Sequence, residues 1–179
     1  AVHAFGTAGT GGFGIWADSV AHYDSVYIDL VLSVGMILFG VNFNLYYLVL
    51  QGRVKSALKS DELRWYLGII AAATLLIAWN ILPQMGNIWQ SLRYAFFQVS
   101  SIITTTGFAT TDFNLWPELS RCILLVLMLL GACAGSTGGG IKTSRLVIML
   151  RSARKEISRL LHPRSVRSLK FEGKALEDD

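Results

Sequence analysis

The chain has 179 residues, of which 53% are hydrophobic and only 16% charged, with a net charge of +4. Soluble domains carry about 25% charged residues, and here the deficit is concentrated in three runs without Asp, Glu, Lys or Arg: residues 30–52, 65–92 and 122–141. The positive balance does not read as a nucleic-acid surface, because four basic residues lie in 53–64 and ten in 142–174.

Each run is long enough for a membrane helix, which needs roughly 20 mainly apolar residues. A large soluble protein also buries apolar helices, but three such runs in this chain would leave little surface to solvate. The fold class expected is an all-α integral membrane protein. Basic loops stay cytoplasmic, so 53–64 and the tail are inside. Residues 87–121, which hold only Arg93 and Arg121, are largely outside. This makes a multi-pass chain of the cytoplasmic (inner) membrane, in contact with lipid. Cys122 and Cys133 share one apolar run, and His3, His22 and His162 are scattered. No disulfide, metal framework or cofactor is expected from them. With no initiator Met and a motif at its very start, the chain reads as a piece of a longer polypeptide.

Residues 1–18 are Gly-rich and hold a short strip, Thr10-Gly11-Gly12-Phe13. A helix is expected from about 26 to 50, interrupted only mildly by Gly35 and Gly40, small residues that allow close helix contact in lipid. Asn42 and Asn44 on it face either a pore or an interhelical hydrogen bond. Residues 51–62 form a basic inner loop, and Ser60-Asp61-Glu62 begins the next helix with a hydroxyl cap and first-turn acids. That helix is expected to end near Pro83, with Trp65, Tyr66 and Trp79 as interfacial aromatics. Residues 89–103 are too short and too polar to span. They match a re-entrant half-helix that enters from outside and hands over to a second strip, Thr104 to Thr110, with its negative C-terminal pole favouring a cation. Pro117 suits the first turn of the last helix. Five glycines and a Ser-Thr pair in 131–140 should break that helix before it resumes at 141–150. Residues 151–179 suit a helix leaving the membrane and then a solvated inner segment ending Glu177-Asp178-Asp179, or a surface drawn to anionic headgroups. Asp18, Asp24, Asp112 and Glu118 flank the strips outside, either as a cation-attracting mouth or as ordinary loop acids.

Gly12-Phe13 and Gly107-Phe108 are 95 residues apart, and outer loop, helix and basic inner segment follow each. The chain reads as two copies of helix, half-helix, strip and helix, the first truncated at its front. Non-helical backbone at membrane depth is tolerated only where protein buries it or it lines a water-filled cavity. Its carbonyls can replace the water shell of a potassium ion. An ion pathway is expected, not an enzyme.

Thr-Gly-Gly-Phe-Gly-Ile-Trp-Ala-Asp (10–18) and Ile-Ile-Thr-Thr-Thr-Gly-Phe-Ala-Thr-Thr-Asp-Phe-Asn-Leu-Trp-Pro (102–117) resemble the second and third selectivity-filter segments of the TrkH type of potassium transporter, in the Trk/Ktr/HKT superfamily. Residues 131–145 resemble that family's intramembrane loop. The resemblance covers essentially the whole chain. It implies four helix–pore-helix–helix repeats around one pore, of which this chain holds the end of the second (1–50), a cytoplasmic loop (51–62), the third (63–151) and a cytoplasmic basic segment (152–179). It implies a potassium-binding filter of Thr10, Gly11, Gly12 and Phe13 with Thr105, Thr106, Gly107 and Phe108. It also implies a gate loop of Gly131, Gly135, Ser136, Thr137, Gly138, Gly139, Gly140 and Lys142. Implied partners are a second copy of the full-length protein and a cytoplasmic nucleotide-binding regulator of the TrkA type. Potassium is cargo, and no other cofactor is implied. Two of four strips lie outside this chain, as does the basic residue the family places near the gate, so the chain alone should not conduct. Two rivals are weaker. A Walker loop needs Lys directly after its second Gly, and Ile141 intervenes before Lys142. A non-conducting membrane subunit would have no need of two intact strips.

Overall fold

The computed structural model describes residues 1–161, 169–171 and 174–176. Seven residues form α1 (Val2–Ala8), and the first strip follows. A 3-10 turn (Ser19–Tyr23) leads to α2 (Val26–Phe39) and α3 (Phe43–Leu50). The basic loop contains α4 (Val54–Leu58); then come α5 (Asp61–Met85) and α6 (Ile88–Ile103). A second 3-10 turn (Phe113–Leu115) precedes α7 (Glu118–Leu129) and α8 (Thr143–Leu161). The tail adds one departure from an all-helical chain, an antiparallel pair of β1 (Leu169–Phe171) and β2 (Lys174–Leu176). Leu169-Lys170-Phe171 alternates apolar and basic residues, which is a strand pattern. Residues 162–168 and Glu177-Asp178-Asp179 lie outside the described residues.

Among the described residues, α5 alone is long and apolar enough to cross a bilayer, and α2 with α3 makes a second candidate span bent by 89°. The single helix expected over 26–50 is therefore two. Gly40 ends α2, and Asn42 turns to an extended conformation and caps α3 by accepting from the Asn44 N–H at 3.0 Å. Asn42 is thus a cap and a contact between helices, because its side-chain amide also donates to Glu62 at 3.4 Å. The bend sits where packing demands it: a side chain at Gly40 would collide with the Tyr66 hydroxyl and the Thr104 methyl.

Helix α5 starts as expected, with Ser60 Oγ accepting from the Leu63 N–H at 3.4 Å. It does not stop at Pro83 but runs to Met85 and ends at Gly86, φ +64. Proline removes one donor and clashes with the carbonyl four residues back, so in the final turn its cost falls on the Trp79 carbonyl alone. Gly86 supplies the left-handed residue that closes the helix. Trp65 and Trp79 are exposed, whereas Tyr66 is fully buried and donates to the Ile37 carbonyl at 3.3 Å. Tyr66 thus belongs to the core and not to an interfacial belt.

The main core lies between α5, α6 and α7, around Tyr66, Ile77, Ile81, Val99, Ile103 and Leu124. Helix α6 buries small residues there, Ser91, Ala95, Ser100 and Ser101. Small residues let helices approach closely where lipid, not water, is the competing solvent. Ser91 and Ser100 satisfy their hydroxyls on the carbonyls of Asn87 (3.0 Å) and Phe96 (2.7 Å), four residues back. A smaller core of Val20, Met36, Phe97 and Phe108 joins α2, α6 and the second strip. Leu75, Leu76 and Trp79 on α5 and Leu125, Val126 and Leu129 on α7 are exposed.

Candidate functional site

Each strip follows the C-terminus of a helix, and the two are built alike. Thr10 and Thr105 sit at φ +49 and +59, and Gly12 and Gly107 at φ +67 and +89. The Gly11 N–H donates to Gly6 O at 2.8 Å, and the Thr106 N–H to Ser101 O at 2.9 Å. The Thr10 N–H donates to Thr7 O at 3.3 Å, and the Thr105 N–H to Ile102 O at 3.0 Å. Every matching pair of donors and acceptors is 95 positions apart, the period read from the sequence. Positive φ is uncommon outside glycine, so two threonines in that region at equivalent positions mark a built conformation. The sequence reading missed α1, the helix before the first strip, because its Gly and Thr residues mask the helical pattern.

The strips touch. A side chain on Gly12 would run into the Thr106 carbonyl oxygen, whereas Gly107 faces open space, with nothing within 4 Å of where its Cβ would lie. Beyond the glycines the copies diverge. Phe108 is fully buried and its carbonyl accepts from Ser101 Oγ at 2.6 Å, whereas Phe13 is 77% exposed. The outer turn after the first strip holds the end of the second: Ser19 Oγ accepts from the Ala109 N–H at 3.2 Å, and the Val20 and Ala21 N–H groups share the Ala109 carbonyl.

The glycine segment between α7 and α8 is a compact loop. Leu130 pairs with Ile141 in a parallel bridge, and the Gly131 N–H donates to Ile141 O at 2.7 Å. Gly131 and Gly140 press backbone to backbone, and a side chain on Gly138 would strike Ala132. Ser136 Oγ donates to Cys133 O at 2.6 Å, and Lys142 Nζ donates to the Gly138 carbonyl. That lysine is therefore turned into its own loop, and the Gly139 N–H is likewise engaged, so no phosphate cradle forms. The loop tip reaches both strips: Thr10 Oγ1 shares its proton between Gly9 O at 2.8 Å and Thr137 O at 3.1 Å, and the Gly139 N–H donates to Thr105 Oγ1 at 2.7 Å. Its flank reaches the α2–α3 bend, where Cys133 N donates to Gly40 O and Phe43 N to Gly135 O.

Two side-chain systems hold this assembly, and the sequence reading did not assign either. Glu62 is buried, with one carboxylate oxygen accepting from Ala134 N (2.6 Å) and Ser144 N (3.2 Å), and the other from Asn42 Nδ2. It joins the loop, the start of α8 and the α2–α3 bend. Its signal was an acid in a first turn, which helix polarity alone explains. Arg93 on α6 donates to buried Asp29 on α2 at 2.7 Å and reaches Asp24 at 3.4 Å. Asp24 is thus an ion-pair partner; Asp112 caps the turn at Asn114, and Glu118 pairs with Arg121. Among the described residues no three His, Cys, Asp or Glu side chains gather as metal ligands. The groups grouped here that can face a cation are carbonyl and hydroxyl oxygens.

Paired strips and a glycine loop between α7 and α8 are set in a mostly helical chain. A family model described as TrkH, cation transport protein, matches residues 1–179. The chain belongs to the TrkH family, a family of membrane transport proteins and not of enzymes. The Trk system potassium uptake protein TrkH of Salmonella typhimurium is 35% identical over 98% of this chain and 37% of its own length. TrkG of Escherichia coli, also a Trk system potassium uptake protein, is 33% identical over 98% of this chain and 37% of its length. The crystal structure of the potassium transporter TrkH from Vibrio parahaemolyticus matches with a TM-score of 0.89 at 33% identity, over 96% of this chain and 38% of that one. The chain therefore spans little more than a third of the length of these relatives.

Proposed function

We propose that this chain forms the central part of the pore of a potassium uptake protein. Residues 1–50 close the second repeat, 51–62 form a cytoplasmic loop, 63–151 make the third repeat, and 152–179 continue into the cytoplasm. Potassium is bound by strip carbonyls of Thr10, Gly11, Gly12, Thr105, Thr106 and Gly107, with Phe108 packed at the end of the second strip and Phe13 exposed at the end of the first. The loop from Gly131 to Lys142 is the gate. The observation that carries this reading is the duplicated strip: the same left-handed steps and the same hydrogen bonds recur 95 residues apart, and the two copies lie side by side. Oriented backbone dipoles at the end of α6 favour a cation there, and carbonyl rings are a known means of ion selection.

The full-length protein works in the cytoplasmic membrane as a dimer and with a nucleotide-binding regulator of the TrkA type. The relatives named above are potassium uptake proteins or transporters by description, which supports the cargo. The test is rubidium uptake in a potassium-transport-deficient bacterium carrying the full-length parent gene, with and without Gly107→Ser. Uptake whose preference for potassium over sodium depends on Gly107 is expected. Uptake insensitive to this change, with membrane insertion verified, would remove Gly107 from the filter.

A further inference from the structure

The loop tip is hydrogen-bonded to equivalent side chains on both strips, through the strip threonines that hold left-handed backbone without being glycine. Thr10 and Thr105 sit at φ +49 and +59. Thr10 Oγ1 lies 3.1 Å from the Thr137 carbonyl and 2.8 Å from the Gly9 carbonyl, which share its one proton, and Thr105 Oγ1 lies 2.7 Å from the Gly139 nitrogen. The residue between those two partners, Gly138, is buried: a side chain there would strike Ala132 and crowd the Thr104 carbonyl, 3.1 Å away. Gly138 thus leaves no room for a side chain against Ala132 and the Thr104 carbonyl, and the tip is tied to both strips by hydroxyls. One hydroxyl donates and the other accepts, so the two contacts are chemically distinct and are lost separately on substitution.

Resting on the pore reading above, we propose that the Thr10 and Thr105 hydroxyls form a latch between gate loop and filter. The loop moves from the strips only when both hydrogen bonds break, and the freed hydroxyl oxygens then face the ion path at the loop end of each strip. A hydroxyl has one proton and two lone pairs, so it can exchange a loop partner for a cation without leaving a polar group unsatisfied. The latch makes loop position and filter shape one equilibrium. The filter side is poised for this, since non-glycine residues in the left-handed region hold strained backbone.

The experiment is rubidium uptake by the full-length parent protein, measured without its regulator, for wild type, Thr105→Val, Thr105→Ser and Thr10→Val. Membrane expression is normalised by blot. A neutral hydrogen bond contributes enough to raise basal uptake about 2- to 10-fold when lost. Thr105→Val and Thr10→Val should each show that rise, and Thr105→Ser should return it to wild type. Combining Thr105→Val with a deletion in 138–140 should add nothing further, because both remove the same contact. Unchanged basal uptake in both valine variants, at normal expression and with Gly107→Ser still altering selectivity, overturns the latch and leaves the pore reading standing. A fully additive double variant also overturns it, as the signature of a merely structural threonine. Failure of the wild type to take up rubidium overturns the pore reading and the latch together.

Discussion

Removing the Glu62 carboxylate should loosen the glycine loop from the body of the protein. In Glu62→Ala the N–H groups of Ala134 and Ser144 lose their acceptor, and the Asn42 amide loses a third contact. A fully buried donor left unsatisfied costs about 1–3 kcal/mol. Ala134 and Ser144 are half-buried, so water replaces part of what is lost and the two together place the loss at the low end, about 2 kcal/mol. Ser144 lies in the first turn of α8, where a negative group also faces the positive helix pole. Glu62→Gln keeps one acceptor oxygen but loses charge assistance, which roughly halves a hydrogen bond's strength. Its expected loss is correspondingly smaller. The assay is thermal unfolding of the detergent-solubilised full-length protein, read beside basal rubidium uptake. The order wild type, Gln, Ala in melting temperature is expected, with basal uptake rising in the same order. An alanine variant with wild-type melting and wild-type uptake would refute the reasoning, since the loop would then be held by its other contacts alone.

Arg93→Leu strands the buried Asp29 carboxylate on α2 and should cost about 3–5 kcal/mol, visible as a lowered melting temperature of the full-length protein. The paired change Asp29→Leu with Arg93→Leu should recover most of it. Gly40→Ala should destabilise the α2–α3 bend through collision with the Tyr66 hydroxyl, and adding Tyr66→Phe should relieve part of the loss, as measured by a double-mutant cycle in melting temperature. Gly107→Ser meets open space but must hold φ +89, a strain of order 1–3 kcal/mol. Its effect should therefore appear as a lower potassium-to-sodium uptake ratio with near-normal expression. Shortening Gly138–Gly140 should raise potassium leak from preloaded cells, and unaltered leak would remove the loop from gating.

Glycine and charge patterns are local properties, and the sequence alone carried them. Long apolar runs, the basic loop, the half-helix ahead of Thr104 and the helix break at Gly131 all follow from the chemistry of neighbouring residues. So does the 95-residue period, which reappears as duplicated backbone geometry. Distance along the chain hid the rest. The bend at Gly40 is set by Tyr66 and Thr104, residues far along the sequence that leave no room for a side chain. Tyr66 looked interfacial because aromatics at helix ends usually are, but contact with α2 buries it. Pro83 did not end α5: it takes the donor from the Trp79 carbonyl, and only two helical residues follow it before Gly86 closes the helix. Glu62 is the clearest case: a first-turn acid is explained locally by helix polarity, and only the fold brings it to Ala134, Ser144 and Asn42. Sequence determined that the two strips and the 131–140 loop leave helical form, but not the bend at Gly40. The tertiary structure decided what each freed N–H, carbonyl and hydroxyl would bond to, because those partners lie up to 127 residues away.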